Sequence, residues 1–223
     1  MLVAESISKK INNRIILNNI SIKCKKGIYC ISGINGVGKS IFLRILAGVL
    51  KPDSGILTVD GMNLYTDGAR PRTQIGYFPE TPQLYEFLTV KEFLGFVASV
   101  KKCTEQEYMD ILKHLNMLDY IDKYIETLSN GMKRKVVLTA CLMGWPRHLI
   151  LDEPINALDK QAVGYLKEVF HSYQMENKVV IFTTHREKFG IEISDELYVL
   201  EDGTLRNNTK NNQLVTAIGE SHK

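Results

Sequence analysis

The segment that most constrains the fold is the glycine-rich stretch at residues 33–40, which reads GINGVGKS. It follows a short apolar run at residues 28–31, which predicts a strand, and it precedes apolar residues at helical spacing. A strand, a glycine-rich loop and a helix in this order predict a phosphate-binding loop. The glycines let backbone N–H groups surround a phosphate, and the helix adds its positive end. The alternative is an ordinary glycine turn before a helix.

Individual residues of this loop have predicted roles. Lys39 is expected to reach the β and γ phosphates of a nucleotide, and the Ser40 hydroxyl is expected to bind Mg²⁺. The helix after Lys39 is predicted to extend through Val49 and to stop before Pro52. The predicted nucleotide-binding residues are Asn35, Gly36, Val37, Gly38, Lys39, Ser40 and Ile41.

Two carboxylates follow the apolar run at residues 148–151, which predicts a strand buried on both faces. Asp152 and Glu153 come directly after it, at the carboxyl end of the strand, where ligands bind in α/β sheets. Asp152 is predicted to help hold Mg²⁺. Glu153 is predicted to orient or deprotonate the water that attacks the γ phosphate. The alternative for such an acidic pair is a turn or a helix cap.

A histidine stands at the end of the next apolar run. Residues 178–182 predict another buried strand, and a helix predicted at about residues 160–174 gives a β–α–β order. His185 follows Thr183 and Thr184, so it is predicted to contact the γ phosphate as a polar sensor. A surface or capping histidine is the alternative.

The remaining segments predict an α/β protein with a helical insertion. Residues 20–24, 57–59 and 74–78 predict strands. Apolar residues at helical spacing from Thr89 to Gly144 predict amphipathic helices. Residues 196–200, followed by a turn at 201–203, predict a closing hairpin, and the polar residues after about Asn207 have no predicted structure.

Composition limits the possible partners. The net charge of +3 is too small to predict a nucleic-acid partner. Residues 6–52 nevertheless lack acidic side chains, which favours a positive field near the phosphate loop. The four cysteines form no CxxC pair and indicate reduced thiols rather than a metal site. The first residues lack a signal-peptide pattern, and no apolar run reaches the ~20 residues needed to span a bilayer. Another polypeptide is therefore expected to provide any attachment to a membrane.

Residues 128–132, which read LSNGM, are similar to the LSGGQ signature of the nucleotide-binding domains of ABC transporters. The chain resembles that family up to about Asn207. The resemblance implies an α/β fold: a P-loop NTPase core with a mostly parallel sheet, an antiparallel β subdomain and an α-helical subdomain. It also implies that Ser129 and Gly131 bind the γ phosphate of ATP held by an opposite subunit. Donors at a helix N-terminus suit that role, and a plain helix cap is the alternative.

The same resemblance implies one domain over residues 1–223. Its β-rich subdomain is expected at about residues 1–30 and 55–78 and its helical subdomain at about 85–143. The core takes the remainder to about residue 207, and a tail follows at 208–223. Asp159, in a segment similar to the family's D-loop, is implied to contact the opposite subunit.

Glu80 lies at the place of the family's Q-loop. The resemblance implies that it approaches Mg²⁺ and the attacking water, and that it leads into the helical subdomain that touches a membrane partner. A loop acid after Pro79 is the alternative.

The sequence also departs from the family pattern at four positions. Ile11 aligns where an aromatic residue usually stacks on adenine, so base affinity and selectivity are expected to fall. Asn130 and Met132 replace a glycine and the glutamine of the signature. Glu80 replaces the Q-loop glutamine, a variation associated with exporters of the ABC-2 type. The implied catalytic residues Glu153 and His185 are present, so hydrolysis is expected to survive.

These features together imply an ATP-hydrolysing subunit that uses ATP and Mg²⁺. Its expected partners are a second nucleotide-binding domain, identical or paralogous, and an integral membrane permease, with no nucleic acid. It is expected to be cytoplasmic, bound to the membrane through the permease. Export is implied only by Glu80. The alternatives are a soluble ABC ATPase without a permease, or a nucleotide-gated binding module that hydrolyses poorly. A kinase or GTPase is disfavoured, because the signature-like residues 128–132 would have no role in such a protein.

Overall fold

The computed structural model describes residues 1–209. The expected tail therefore lies, from residue 210 onward, outside the described residues. The strands are β1 (Leu2–Ile11), β2 (Arg14–Cys24), β3 (Gly27–Ser32), β4 (Ser54–Val59), β5 (Met62–Asn63), β6 (Ile75–Phe78), β7 (His148–Leu151), β8 (Val179–Thr183), β9 (Glu196–Glu201) and β10 (Thr204–Asn207). The helices are α1 (Lys39–Leu46), α2 (Val90–Lys101), α3 (Glu105–His114), α4 (Asn130–Leu142), α5 (Lys160–Met175) and α6 (Glu187–Ile193).

The larger sheet has six strands in the order β10-β9-β3-β8-β7-β6. Strands β9, β3, β8, β7 and β6 pair in parallel with one another, and β10 pairs with β9 in the antiparallel direction. Every residue of β7 and β8 is buried. Leu149 and Leu151 pack in the core that contains α4 and α5, whereas Ile150 packs on the other face with α1. The predicted mostly parallel α/β core is therefore confirmed.

The smaller sheet is antiparallel and has the order β2-β1-β4-β5. Residues 27–30 and 75–78, although predicted with the β-rich subdomain, form β3 and β6 of the larger sheet. Their apolar side chains are covered on both sides there, as parallel strands require. The division of the chain into subdomains stays a prediction.

Helices α2, α3 and α4 lie within the stretch where amphipathic spacing predicted helices. Both α2 and α3 begin with a capping box, in which Thr89 bonds with Glu92 and Thr104 bonds with Glu107. Each box satisfies backbone donors that the first turn of a helix leaves free. The apolar faces of these helices pack against one another and against the parallel sheet.

The end of α1 differs from the prediction. The helix ends at Leu46 rather than near Pro52, because Gly48 takes a left-handed conformation with φ of 73°. The hydroxyl of Tyr65 lies 2.6 Å from the Ile45 carbonyl oxygen and 2.7 Å from that of Leu50, and its proton is shared between them. A side chain distant in sequence therefore fixes the turn after the helix.

Helix α6 was not predicted from the sequence. It spans Glu187–Ile193, directly after His185, and it packs beside the parallel sheet through Phe189. None of the helices formed by residues 1–209 has the length and apolar character needed to cross a bilayer.

Substitution of Tyr65 by Phe tests the contact that ends α1. Tyr65→Phe removes the shared donor and leaves two carbonyl oxygens with one partner fewer. We expect the free energy of unfolding to fall by about 1–2 kcal/mol. Urea denaturation measures the change. Tyr85→Phe, at a largely exposed side chain, is the control and should leave the midpoint unchanged.

Candidate nucleotide-binding site

The phosphate loop connects the carboxyl end of β3 to the first residue of α1, Lys39. Two of its glycines have no room for a side chain. A Cβ atom at Gly33 would lie 2.5 Å from the Leu200 carbonyl oxygen, and one at Gly38 would lie 2.8 Å from the side chain of Ile16. Both glycines also have positive φ, at 148° and 113°. The loop therefore requires glycine at both positions for steric and conformational reasons.

Lys39 is buried and folds back along its own loop. Its Nζ atom donates to the Gly33 carbonyl at 2.8 Å and to the Ile34 carbonyl at 3.1 Å. An ammonium group has three donors, so one donor beyond these two bonds can serve a phosphate oxygen. The same two bonds hold the loop closed around the lysine.

A cavity of about 250 Å³ joins the loop to the acidic residues. Its floor is the phosphate loop, and its wall is formed by carboxylates at the ends of β6 and β7. The structure thus brings together most residues that the sequence predicted for nucleotide and Mg²⁺. The lining residues are Asn35, Gly36, Gly38, Lys39, Ser40, Ile41, Glu80, Asp152 and Glu153.

A wider cavity of about 540 Å³ lies on the other side of the loop. Val37 lines this cavity, together with Arg14, Ile15 and Asp202, and Asn35 and Gly36 line both cavities. Ile11, which aligned with the adenine-stacking position, is 38% exposed near the turn between β1 and β2 and is not among the lining residues.

Thr183 organises the two carboxylates at the end of β7. Its hydroxyl donates to Asp152 Oδ1 at 2.7 Å and accepts from the Glu153 backbone N–H at 2.9 Å. Asp152 and Glu153 are almost fully buried, and buried charges need such partners. No local sequence signal predicts this role for Thr183, which stands at the end of a predicted strand. Its role depends on β7 and β8 being neighbours in the sheet.

His185 lies against the Glu153 side chain. Its Nδ1 atom is 3.0 Å from Glu153 Oε2, and Asn156 Nδ2 donates to the same oxygen at 3.4 Å. A carboxylate only accepts, so Nδ1 carries the proton in this contact. The His185 side chain is half exposed and also borders a third cavity, of about 590 Å³, beside Gly33 and Asn35. The structure therefore places His185 beside both the loop and Glu153, and its contact with a γ phosphate stays a prediction.

The predicted signature residues lie apart from this group. Ser129 caps α4 by accepting from the Met132 N–H at 3.3 Å, so the capping geometry is present. A Cβ atom at Gly131 would lie 2.8 Å from the Ala157 carbonyl oxygen, which places the start of α4 against the loop before α5. Neither Ser129 nor Gly131 lines the cavity that contains Lys39 and Glu153.

Asp159 is engaged within its own chain. Oδ1 accepts from the Ala162 N–H at 2.9 Å and caps α5, and Oδ2 pairs with Lys135 Nζ at 2.6 Å. The hydrogen bond from Lys135 and the helix-capping bond lower the pKa of this carboxyl. The pair joins α4 to α5.

The oxygen donors around the smaller cavity fit Mg²⁺. Mg²⁺ prefers hard oxygen ligands and is commonly held by one or two carboxylates, waters and substrate phosphates. Ser40, Asp152 and Glu80 supply a hydroxyl and two carboxylates there. Residues 1–209 contain no group of three or more His, Cys, Asp or Glu side chains arranged to hold a metal. A metal held in this cavity would take its remaining ligands from waters and from the phosphates of a nucleotide.

A phosphate loop facing buried carboxylates at the ends of parallel strands defines a nucleotide-hydrolysing α/β protein. The family described as "ABC transporter" matches residues 17–156. The chain therefore belongs to the ABC transporter family, as an ATP-binding domain with ATPase activity.

Known proteins of this family show how much of the chain is shared. The linearmycin resistance ATP-binding protein LnrL of Bacillus subtilis (strain 168) is 31% identical over 92% of this chain and 68% of its own length. Human ATP-binding cassette sub-family A member 13 is 34% identical over 80% of this chain. The match spans only 4% of that human protein.

The fold is also found in a solved structure. The dimeric structure of a post-hydrolysis state of the ATP-binding cassette MJ0796 has a TM-score of 0.83 and 22% identity. The match covers 93% of this chain and 98% of that one. At this identity the likeness concerns the fold.

Substitution of Thr183 by Val tests the bridge between the carboxylates. Thr183→Val keeps the shape but leaves Asp152 Oδ1 and the Glu153 N–H without this partner. We expect about 1–3 kcal/mol lower stability and about 10- to 100-fold slower ATP hydrolysis from misplaced carboxylates. Urea denaturation and phosphate release measure the two effects. Thr183→Ser retains the hydroxyl and should stay near wild type; equal loss in both variants would contradict the bridge.

Proposed function

We propose that this chain is the ATP-hydrolysing part of an ABC transporter and drives a separate membrane permease. The observation that carries the proposal is the shared cavity in which Lys39 and Ser40 face Asp152 and Glu153. Glu80 in place of a glutamine supports export. The name of LnrL, a resistance protein, supports the same direction.

The phosphates of ATP bind along the loop in this proposal. Backbone N–H groups of residues 35–40 and the N-terminus of α1 receive the β phosphate, and Lys39 contacts the β and γ phosphates. Ser40, Asp152 and Glu80 would hold Mg²⁺, which would neutralise charge on the phosphate oxygens. We assign the adenine ring of ATP to the wider cavity, near Arg14 and Ile15.

Glu153 acts on the attacking water. Its buried carboxylate borders the cavity, and the contact from His185 at 3.0 Å leaves its other oxygen free of that bond. That oxygen of Glu153 orients the water and accepts its proton as the water oxygen attacks the γ phosphorus. The bond from the γ phosphorus to the β–γ bridging oxygen breaks, and ADP leaves with that oxygen. His185 fixes the carboxylate through its Nδ1 atom. Its half-exposed ring lies beside Gly33 and Asn35 of the phosphate loop, and we assign it a contact with the γ phosphate from that position.

In this proposal, the hydrogen-bond donors of the signature residues reach the γ phosphate from a second subunit. Ser129 and Gly131 line no part of the cavity that holds Lys39. Donors at the start of α4 can therefore reach a nucleotide only on a second copy or paralogue. The neighbour MJ0796 was solved as a dimer with ADP and Pi, which supports this arrangement.

An exposed aromatic surface supports a membrane partner. We name it the aromatic surface: Tyr85, Phe87 and Tyr124, exposed by 56%, 72% and 54%. The rings of Tyr85 and Phe87 lie 6.0 Å apart, and Tyr124 joins the same region through a bridge to Thr89. Clustered exposed aromatic side chains mark interaction surfaces. We assign this surface to the permease, with attachment at its cytoplasmic face.

Substitution of Glu153 by Gln tests the proposed hydrolysis. The amide keeps the shape but cannot accept the proton, so we expect phosphate release to fall by at least about 100-fold. ATP remains bound, and light scattering should show an ATP-dependent dimer. Glu168→Gln, an exposed change on α5, is the control. A Glu153→Gln protein that keeps wild-type turnover, or a wild type that releases no phosphate, refutes the proposal.

Substitution of Phe87 by Ser tests the aromatic surface. The change removes the most exposed ring of the surface, so we expect less integral membrane protein to co-purify from a detergent extract. ATP hydrolysis by the isolated chain should not change. Met175→Ser, at another exposed apolar side chain, is the matched control. Recovery of only a soluble partner by the wild type would favour the soluble ATPase instead.

A further inference from the structure

Arg134, in the second turn of α4, is a buried cation that joins two catalytic loops. It is only 5% exposed. One guanidinium nitrogen donates to the Glu80 carbonyl and another donates to the Glu153 carbonyl at 2.8 Å. The guanidinium carbon lies 4.6 Å from the centre of the Phe78 ring, within range of a cation–π contact. One side chain thus contacts the ends of both β6 and β7.

The surroundings of Arg134 are costly for a cation. Burial lowers its pKa, opposed by the negative charges of Glu80, Asp152 and Glu153. Its Nε atom is buried and has no hydrogen-bond partner among the described residues. Removing a charge from water and leaving a donor unpaired both oppose folding. A well-packed apolar side chain would serve stability as well, so stability alone does not explain an arginine here.

We propose that Arg134 is a positioning residue for hydrolysis, an inference that rests on the proposed function of Glu153. Its planar fork fixes the backbone of Glu80 relative to that of Glu153, so both side chains point into one cavity. A guanidinium presents its donors in a rigid planar fork, which a lysine lacks, and here that fork serves two carbonyls while its carbon lies against the Phe78 ring. Because Arg134 belongs to α4, the position of the helical layer sets the position of Glu153.

This link has a direct consequence for a two-subunit site. The same helix begins with Ser129 and Gly131, which contact the nucleotide of the opposite subunit in the proposed dimer. A shift of α4 relative to the sheet would stretch the bond from Arg134 to the Glu153 carbonyl. The carboxylate would move with its backbone, and a displacement of about 1 Å can slow a reaction by up to about 100-fold. Each subunit would then hydrolyse ATP fastest when its own α4 packs against the sheet with the bond from Arg134 to the Glu153 carbonyl intact.

The test compares Arg134→Met and Arg134→Lys with the wild type. Arg134→Met removes both bonds, so we expect kcat for ATP hydrolysis to fall about 10- to 100-fold. KM for ATP should stay within about twofold, since Arg134 does not line the cavity with the phosphate loop. Arg134→Lys keeps the charge but cannot form the same fork, and an intermediate kcat is expected. Hydrogen exchange should rise at residues 80–81 and 153–156.

Lys101→Met is the matched control. Lys101 is partly buried and donates to the carbonyls of Ala140, Cys141 and Met143 at the other end of α4. We expect it to lower stability while kcat stays within about twofold and exchange at residues 153–156 is unchanged. Glu153→Gln and wild type in the same assay establish separately whether the proposed function holds.

Two results would overturn the inference while the proposed function stands. One is a folded Arg134→Met protein with wild-type kcat. The other is a parallel loss of kcat in Arg134→Met and Lys101→Met, which would mean that any loosening of α4 is sufficient. If Arg134→Met does not fold, Arg134→Lys decides by the same criteria, with wild-type kcat again contradicting the proposal.

Discussion

The parallel pairing of β3, β8, β7 and β6 is the constraint on which the rest of the structure depends. Pairing places Ile31 beside Thr183, and Leu151 beside both Phe182 and Phe78. Parallel strands end at the same edge, so segments that are more than a hundred residues apart in sequence meet within one cavity. A shift of one residue between β7 and β8 would move Thr183 away from Asp152 and turn buried side chains to the other face.

Charged side chains at this edge are buried and bond to backbone carbonyls and a hydroxyl rather than to water. Lys39 donates to two loop carbonyls, and Asp152 accepts a hydrogen bond from the Thr183 hydroxyl. Arg134 donates to the backbone carbonyls of Glu80 and Glu153. Each contact fixes a backbone segment as well as a charge. A polar network of this kind is rigid only while every member keeps its partners. This rigidity suits a site that must hold a phosphate chain and a water in line.

The sequence predicted those features whose signals are local. Glycine spacing located the phosphate loop, apolar runs located β7 and β8, and helical spacing located α2 to α4. Three features depend on contacts between distant residues and left no local signal. Tyr65 ends α1 through carbonyls 15 and 20 positions earlier, Thr183 joins the carboxylates across two strands, and Arg134 reaches two loops from α4. Short elements such as α6 are missed because seven residues carry little periodicity.

The contacts of Asp159 bear on how a dimer can form. Both of its carboxylate oxygens are engaged within the chain, one by the Ala162 N–H and one by Lys135. An ionised carboxylate accepts at about four lone-pair positions, so Asp159 can accept another bond from an opposite subunit without releasing either partner. Dimer formation then need not separate α4 from α5. Because Arg134 connects α4 to the Glu153 carbonyl, we infer that a dimer contact that keeps Lys135 bound to Asp159 also keeps Arg134 in place. Glu153, the proposed hydrolytic carboxylate, would then stay aligned in the proposed dimer.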